Sequence, residues 1–174
     1  MSYEFRYPAF AIDVEAVILT TGHPRLARVA VVDDREKSVL DLVVRPETFV
    51  RNYLTHLTGL TQRDYSMGVN KETAIKAVKE VIASASVLVF HDPTLELKLL
   101  ELETASYDNI FDTSASVVLM DMAGVVRKRG DRVKLKILSE NILGESIQVG
   151  YHSPVEDARA AMRLFKRTFL YPDQ

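Results

Sequence analysis

Two carboxylates, Asp13 and Glu15, stand one residue apart in the run FAIDVEAVIL at residues 10–19, whose other eight residues are apolar. In an extended strand, residues two apart share a face, so both acids project side by side. Ala11, Val17 and Leu19 share that face, while Phe10, Ile12, Val14, Ala16 and Ile18 take the other. Like charges in a half-buried setting repel and lose hydration, at a cost of several kcal/mol per ion unless compensated. An edge strand with its acids in water would avoid that cost. A hard divalent cation held by carboxylate oxygens would offset it. This stretch alone leaves both readings open.

Two further acids shift the balance. In HSPVED at residues 152–157, Ser153 is a good N-cap, Pro154 suits the first helical position and Glu156 completes a capping box. Asp157 then falls on the apolar side of an amphipathic helix, among Ala158, Ala161, Met162, Leu164, Phe165 and Phe169. Glu156, Arg159, Arg163, Lys166 and Arg167 take the opposite face. His152 lies just outside that helix, where an imidazole can reach a neighbouring site, although taken alone it reads as a surface-loop histidine. The segment HDPTLELKLLEL repeats the arrangement, with Asp92 as N-cap, Pro93 opening the helix and Glu96 as its fourth residue, flanked by Leu99 and Leu100. His91 reads as a structural residue at the strand–helix junction. Four acids, Asp13, Glu15, Glu96 and Asp157, thus occupy positions where acids are costly. A pair of divalent ions about 4 Å apart, clamping an in-line phosphoryl displacement, would resolve that cost. A histidine, which ordinarily titrates near neutrality, suits removal of a proton from attacking water.

The elements that must position these residues are legible in outline. Apolar runs at 9–19, 26–32 and 38–44 read as strands, the last two joined by a DDREK turn. Residues 47–68 look irregular or partly helical. KETAIKAVKEVIA at 71–83 places Ala74, Ala77, Val78, Val81 and Ile82 on one helical face. VLVF at 87–90 is a short buried strand, followed by a helix over about 93–102 and a strand near 110–112. A long loop over 114–133, with room for a short helix, and helices near 134–142 and 154–169 complete the chain. This order implies an α/β domain, a mixed sheet covered by helices. The 174 residues suffice for one domain with a substantial core. No apolar run spans a membrane, no signal-peptide pattern opens the chain and there is no cysteine, so an intracellular protein is expected, with nucleus and cytoplasm both open. The net charge of −2 disfavours binding through bulk positive charge but permits a local basic patch.

The ordered set D-x-E, an acid five residues after a mid-chain histidine, and H-x4-D resembles the DEDDh 3′→5′ exonucleases. The likeness is strongest to their eukaryotic RNA exonuclease branch. AIDVEAV, LARVAVVD, HLTGLTQRDY, LVFHDPTLELKLL, FDTS, LKILSENILG and HSPVEDARAAMRLF all resemble its motifs, covering about residues 9–167. The resemblance implies an RNase H-like fold with a central mixed sheet of about five strands. It implies a cofactor of two divalent cations, Mg²⁺ or Mn²⁺, and release of nucleoside 5′-monophosphates from the 3′ end of single-stranded RNA, with DNA a second candidate. On it, Asp13 bridges both ions and Glu15 and Asp157 complete the water-activating site. Glu96 serves the other ion, and His152 is the general base. Three departures stand out. Glu96 replaces the family's usual Asp, Ala16 replaces the larger apolar residue that helps wedge the terminal base, and Phe90 stands where a Gly usually precedes the histidine.

Within Thr58, Gly59 and Leu60, the family's counterpart turn packs near the terminal nucleotide. RKRGDRVKLK at 127–136 holds six Lys or Arg in ten, including Arg127, Lys128 and Arg129. It reads either as a solvated loop or as a phosphate-tracking rim. The alternative to an active enzyme is a pseudo-exonuclease that binds RNA or a protein partner without cutting, favoured by Glu96 and Ala16. A purely structural domain, its acids paired with Arg28 and Arg45, leaves the ordered motif set unexplained. The chain also has the look of a domain excised from a larger protein.

Overall fold

A computed structural model describes residues 8–103, 110–126, 128 and 130–169. Strands β1 (Ala9–Leu19), β2 (Pro24–Asp33) and β3 (Ser38–Val43) form an antiparallel meander. Asp33 closes the β2–β3 turn by accepting from the amides of Arg35 and Lys37, which leaves Glu36 at φ 66°. Strands β5 (Val87–Phe90) and β6 (Ile110–Asp112) extend the sheet in parallel from β1, giving the order β3-β2-β1-β5-β6. A sixth strand, β4 (Val50–Asn52), pairs with the far end of β1. It lies in the stretch read from sequence as irregular or partly helical, which also holds two short helices, α1 (Thr55–Thr58) and α2 (Gln62–Ser66). The sheet therefore has six strands rather than about five.

Helix α3 (Lys71–Ile82) opens on Asn70, whose side chain caps the Thr73 amide, and buries Ala74, Ile75, Val78 and Ile82. Ala74, Val78 and Ile82 pack with Ile12, Val29, Val31, Leu88, Phe90 and Leu100 in the main core, on one face of the sheet. Helix α4 is shorter than expected, Thr94–Leu99. A 3₁₀ turn (Thr113–Ala115) and α5 (Val117–Met122) occupy part of the expected loop. Helix α6 (Leu135–Leu138) runs into a π-helical turn, Ser139–Leu143. Helix α7 (Pro154–Thr168) lays Ala158, Ala161, Met162 and Phe165 on Ala9, Ala11, Val32 and Val89 across the other face. Its basic face is not simply solvated. Arg163 and Lys166 pair with Glu36 at 2.7 and 2.9 Å, and Arg159 donates to the Glu36 carbonyl, so the helix is pinned to the β2–β3 turn. Among the described residues no helix is long and apolar enough to cross a membrane.

Candidate active site

Strand β1 carries Asp13 and Glu15 on the face that α7 covers further back. Ala9 and Ala11 pack under α7, and Val17 packs with Ala27 and Tyr65 at the other end. The two acids fall between those contacts. Opposite them on β2 stand Ala30 and Arg28, and the register slips immediately after Glu15, so Ala16 pairs with Leu26 and Ala27 is skipped. Arg28 does not pair with Glu15. Its guanidinium forms a two-pronged bond with Asp41 at 2.8 and 2.9 Å. Among the described residues no ion pair reaches Asp13, Glu15, Glu96 or Asp157, which removes the basis for a purely structural set of salt bridges.

Asp157 is the fourth residue of α7, as expected, and is 6% exposed. Ser153 holds the N-cap position without a side-chain bond, and Glu156 does not complete a capping box. Its Oε2 accepts instead from the Gln148 amide at 3.1 Å. Glu96 is 9% exposed and is the third residue of its helix rather than the fourth. Asp92 is not the cap. It adopts φ 61°, its N–H donates to Asp112 Oδ1, and Pro93 takes the N-cap position. Arg132 ties this corner together, reaching Asp112 at 2.6 Å and Asp92 at 3.1 Å. His91 is structural, as read. The Thr113 hydroxyl donates to the Phe90 carbonyl, so it accepts from His91 Nδ1 at 2.8 Å, and burial lowers the imidazole pKa.

The electrostatics show that the acids feel one another. Burial, then Asp157, Glu96 and Glu15 in turn, raise the Asp13 pKa well above the usual carboxylate range. Burial and Asp157 push Glu15 up to about 7 against the opposing pull of Arg28. Burial pushes Glu96 up to about 7, and it raises Asp157 despite the Gln148 hydrogen bond and His152. Two oxygens, Glu96 Oε2 and Asp157 Oδ1, are buried without any hydrogen-bond partner. Such orphans are uncommon in a folded chain. Four carboxylates, two of them with a buried, unpartnered oxygen, fit a hard divalent cation by donor chemistry. Among the described residues, however, no group of three or more histidines and acids is arranged to hold an ion.

His152 is half-buried, and its N–H donates to the Leu57 carbonyl at 2.6 Å, so the loop that carries it is docked on α1. The Tyr151 ring lies over Gly59, which ends α1 at φ 72°. A Cβ at Gly59 would come within 2.8 Å of that ring. Thr58 is buried against the Tyr65 hydroxyl at 3.3 Å, and its hydroxyl accepts from the Leu60 amide. The Thr58–Gly59–Leu60 turn and the His152 loop therefore make one continuous wall. Ala16 lies on the opposite face of β1 from the acids, half-buried against the main core. Lys128 is exposed. Arg127 and Arg129 lie outside the described residues, while Arg132, Lys134 and Lys136 of the expected basic rim are exposed and Arg132 is tied to Asp92 and Asp112. Sequence reasoning missed Gln148, which donates to Asp157 Oδ2 at 2.9 Å. No local pattern announces it.

Fold and acids together define an RNase H-like α/β domain with an acidic centre. The chain belongs to the exonuclease family, whose RNase T model matches residues 10–165. It is 35% identical over 142 residues to RNA exonuclease 4 of Aspergillus fumigatus, covering 82% of this chain and 44% of that one. It is 30% identical to RNA exonuclease 1 of Saccharomyces cerevisiae, covering 92% and 28%, and 31% identical to human RNA exonuclease 5, covering 90% and 19%. The chain thus spans less than half the length of these relatives. Among solved structures it is similar to the Neurospora crassa Pan2 catalytic unit, with a TM-score of 0.78 and 21% identity over 93% of this chain and 27% of that one. It likewise resembles the Saccharomyces cerevisiae Pan2 module, with a TM-score of 0.76.

Proposed function

We propose that this domain is a metal-dependent 3′→5′ exoribonuclease that releases nucleoside 5′-monophosphates from single-stranded RNA. DNA is the secondary substrate. The observation that carries the reading is the convergence of Asp13, Glu15, Glu96 and Asp157, whose raised pKa values and two orphaned oxygens mark a site built for positive charge. The three relatives described above, each named an RNA exonuclease, support RNA as the polymer. Two divalent cations, Mg²⁺ or Mn²⁺, would supply the charge that stabilises the attacking and leaving oxygens of an in-line displacement. Asp13, Glu15 and Asp157 would hold the ion that activates the attacking water, and Asp13 and Glu96 the ion that stabilises the leaving oxygen. His152 takes the proton from that water, its loop fixed by the bond to Leu57. The wall formed by Thr58, Gly59, Leu60 and Tyr151 bounds the place of the terminal nucleotide.

The test is cleavage of 5′-labelled single-stranded RNA and DNA in Mg²⁺, Mn²⁺ or EDTA. The expected result is a metal-dependent ladder shortening from the 3′ end, lost by at least about a hundredfold in Asp13→Ala. A second reading keeps the acids and loses the chemistry. It is favoured by Glu96, one methylene longer than the family's usual Asp, and by the absence of a formed three-donor group among the described residues. A silent wild type that gains activity as Glu96→Asp would establish that reading.

A further inference from the structure

Gln148 is a half-buried residue whose backbone is not explained by local preference. It sits at φ 57°, a left-handed conformation that residues with a Cβ adopt rarely. Its neighbours explain how it is held. Ile147 on one side is 4% exposed in the core beneath α5 and α7. Val149 and Gly150 on the other side are exposed. The Gln148 N–H donates to Glu156 Oε2 at 3.1 Å, and its side-chain Nε2 donates to Asp157 Oδ2 at 2.9 Å. One strained residue therefore grips two consecutive acids, by main chain and by side chain. Glu156, which the sequence pattern assigns to a capping box, is diverted to hold it.

From this geometry we infer that Gln148 is the positioning residue of the cation site, orienting the Asp157 carboxylate. The inference rests on the metal-dependent reading of the acids. A carboxylate on a free side chain can turn either oxygen outward. Here Oδ2 is occupied by the amide, and Oδ1 is buried with no partner. The amide thus fixes the plane of the group and assigns the free oxygen to the cation. The choice of donor is consistent with that task. An arginine or lysine in the same place would neutralise Asp157 and compete with the ion. A neutral amide lowers the cost of the charge without cancelling it, and it has no proton to lose. Outer partners of this kind set ligand direction, and their loss typically weakens metal binding by roughly ten- to a hundredfold.

The experiment is Mn²⁺ titration by calorimetry of wild type, Gln148→Gly, Glu156→Ala and the double variant, with melting in EDTA as a folding control. Glycine accommodates the left-handed backbone while removing the side chain and its amide, so Gln148→Gly is expected to fold with a melting temperature close to wild type. Its Mn²⁺ affinity should fall by about ten- to a hundredfold. Glu156→Ala should weaken binding in the same direction by releasing the backbone grip, and it should add little in the Gln148→Gly background, because both act through one carboxylate. Mn²⁺ affinity of Gln148→Gly within twofold of a binding wild type would overturn the assignment while leaving the metal site standing. A wild type that takes up no Mn²⁺ would overturn the metal reading itself, and this assignment with it.

Discussion

Replacing Glu96 with Gln should make the metal-free protein more pH-tolerant, to an extent set by how far burial raises the Glu96 pKa. Glu96 is 9% exposed, and burial raises its pKa from 4.5 to about 7. The sign follows from proton counting. Above pH 4.5 the unfolded chain releases the Glu96 proton while the folded chain retains it, so stability falls as pH rises and levels off once pH passes about 7. Between pH 5 and pH 8, that linkage removes about 2.5 kcal/mol from the wild type and nothing from the variant. A buried amide carries its own penalty for an unpaired N–H, but that penalty does not depend on pH and cancels in the comparison. For a domain of this size about 1 kcal/mol corresponds to roughly 2–4 °C. The gap between Glu96→Gln and wild type should therefore move in favour of the variant by about 5–10 °C from pH 5 to pH 8 in EDTA. Differential scanning fluorimetry or circular dichroism melts at four pH values suffice. Saturating Mn²⁺ at pH 8 should restore the wild type and do less for the variant. A gap that stays constant from pH 5 to pH 8, or that moves the other way, would refute the claim that Glu96 is an acid held against its burial cost.

Two further perturbations separate the wall from the frame. Gly59→Ala places a Cβ within 2.8 Å of the Tyr151 ring at a positive φ, so it should shift the His152 loop. It should raise KM for RNA several-fold and cost on the order of 1 kcal/mol of stability, read by steady-state kinetics and melting. Arg163→Met removes half-exposed ion pairs to Glu36 and Glu145, neither of which is one of the four candidate acids. It should lower stability by about 1 kcal/mol and leave Mn²⁺ affinity unchanged in calorimetry.

What the sequence discloses and what it conceals divide along a physical line. Strand β1 matches its reading residue for residue because an apolar run broken by two same-face acids has few other solutions. Helix α7 is equally legible, since Ser153, Pro154 and the stripe from Ala158 to Phe165 are all local signals. The misreadings arise where a tertiary partner claims a residue that local rules assign elsewhere. Asp92 looks like a cap, yet Asp112 and Arg132 hold it in a left-handed turn and α4 starts later. Glu156 looks like half of a capping box, yet Gln148 claims its carboxylate. The basic face of α7 shows no partner in the local sequence, yet Glu36 claims it from the β2–β3 turn. Strand β4, three residues long, carries too little periodicity to register at all.

The concealed contacts share a feature. Asp92, just before α4, and Glu156, in the first turn of α7, adjoin the acids those helices deliver, and each is spent on fixing the approach of its helix rather than on capping it. A cap stabilises a helix wherever the helix lies. A bond from Asp92 to Asp112, or from Glu156 to Gln148, specifies where the first turn sits relative to the rest of the chain. For a carboxylate that must be held within about 0.5 Å of a working position, placement of the helix matters more than its intrinsic stability. The departures from local rules around Glu96 and Asp157 are therefore where the fold gives up local preference to set the geometry of its acids.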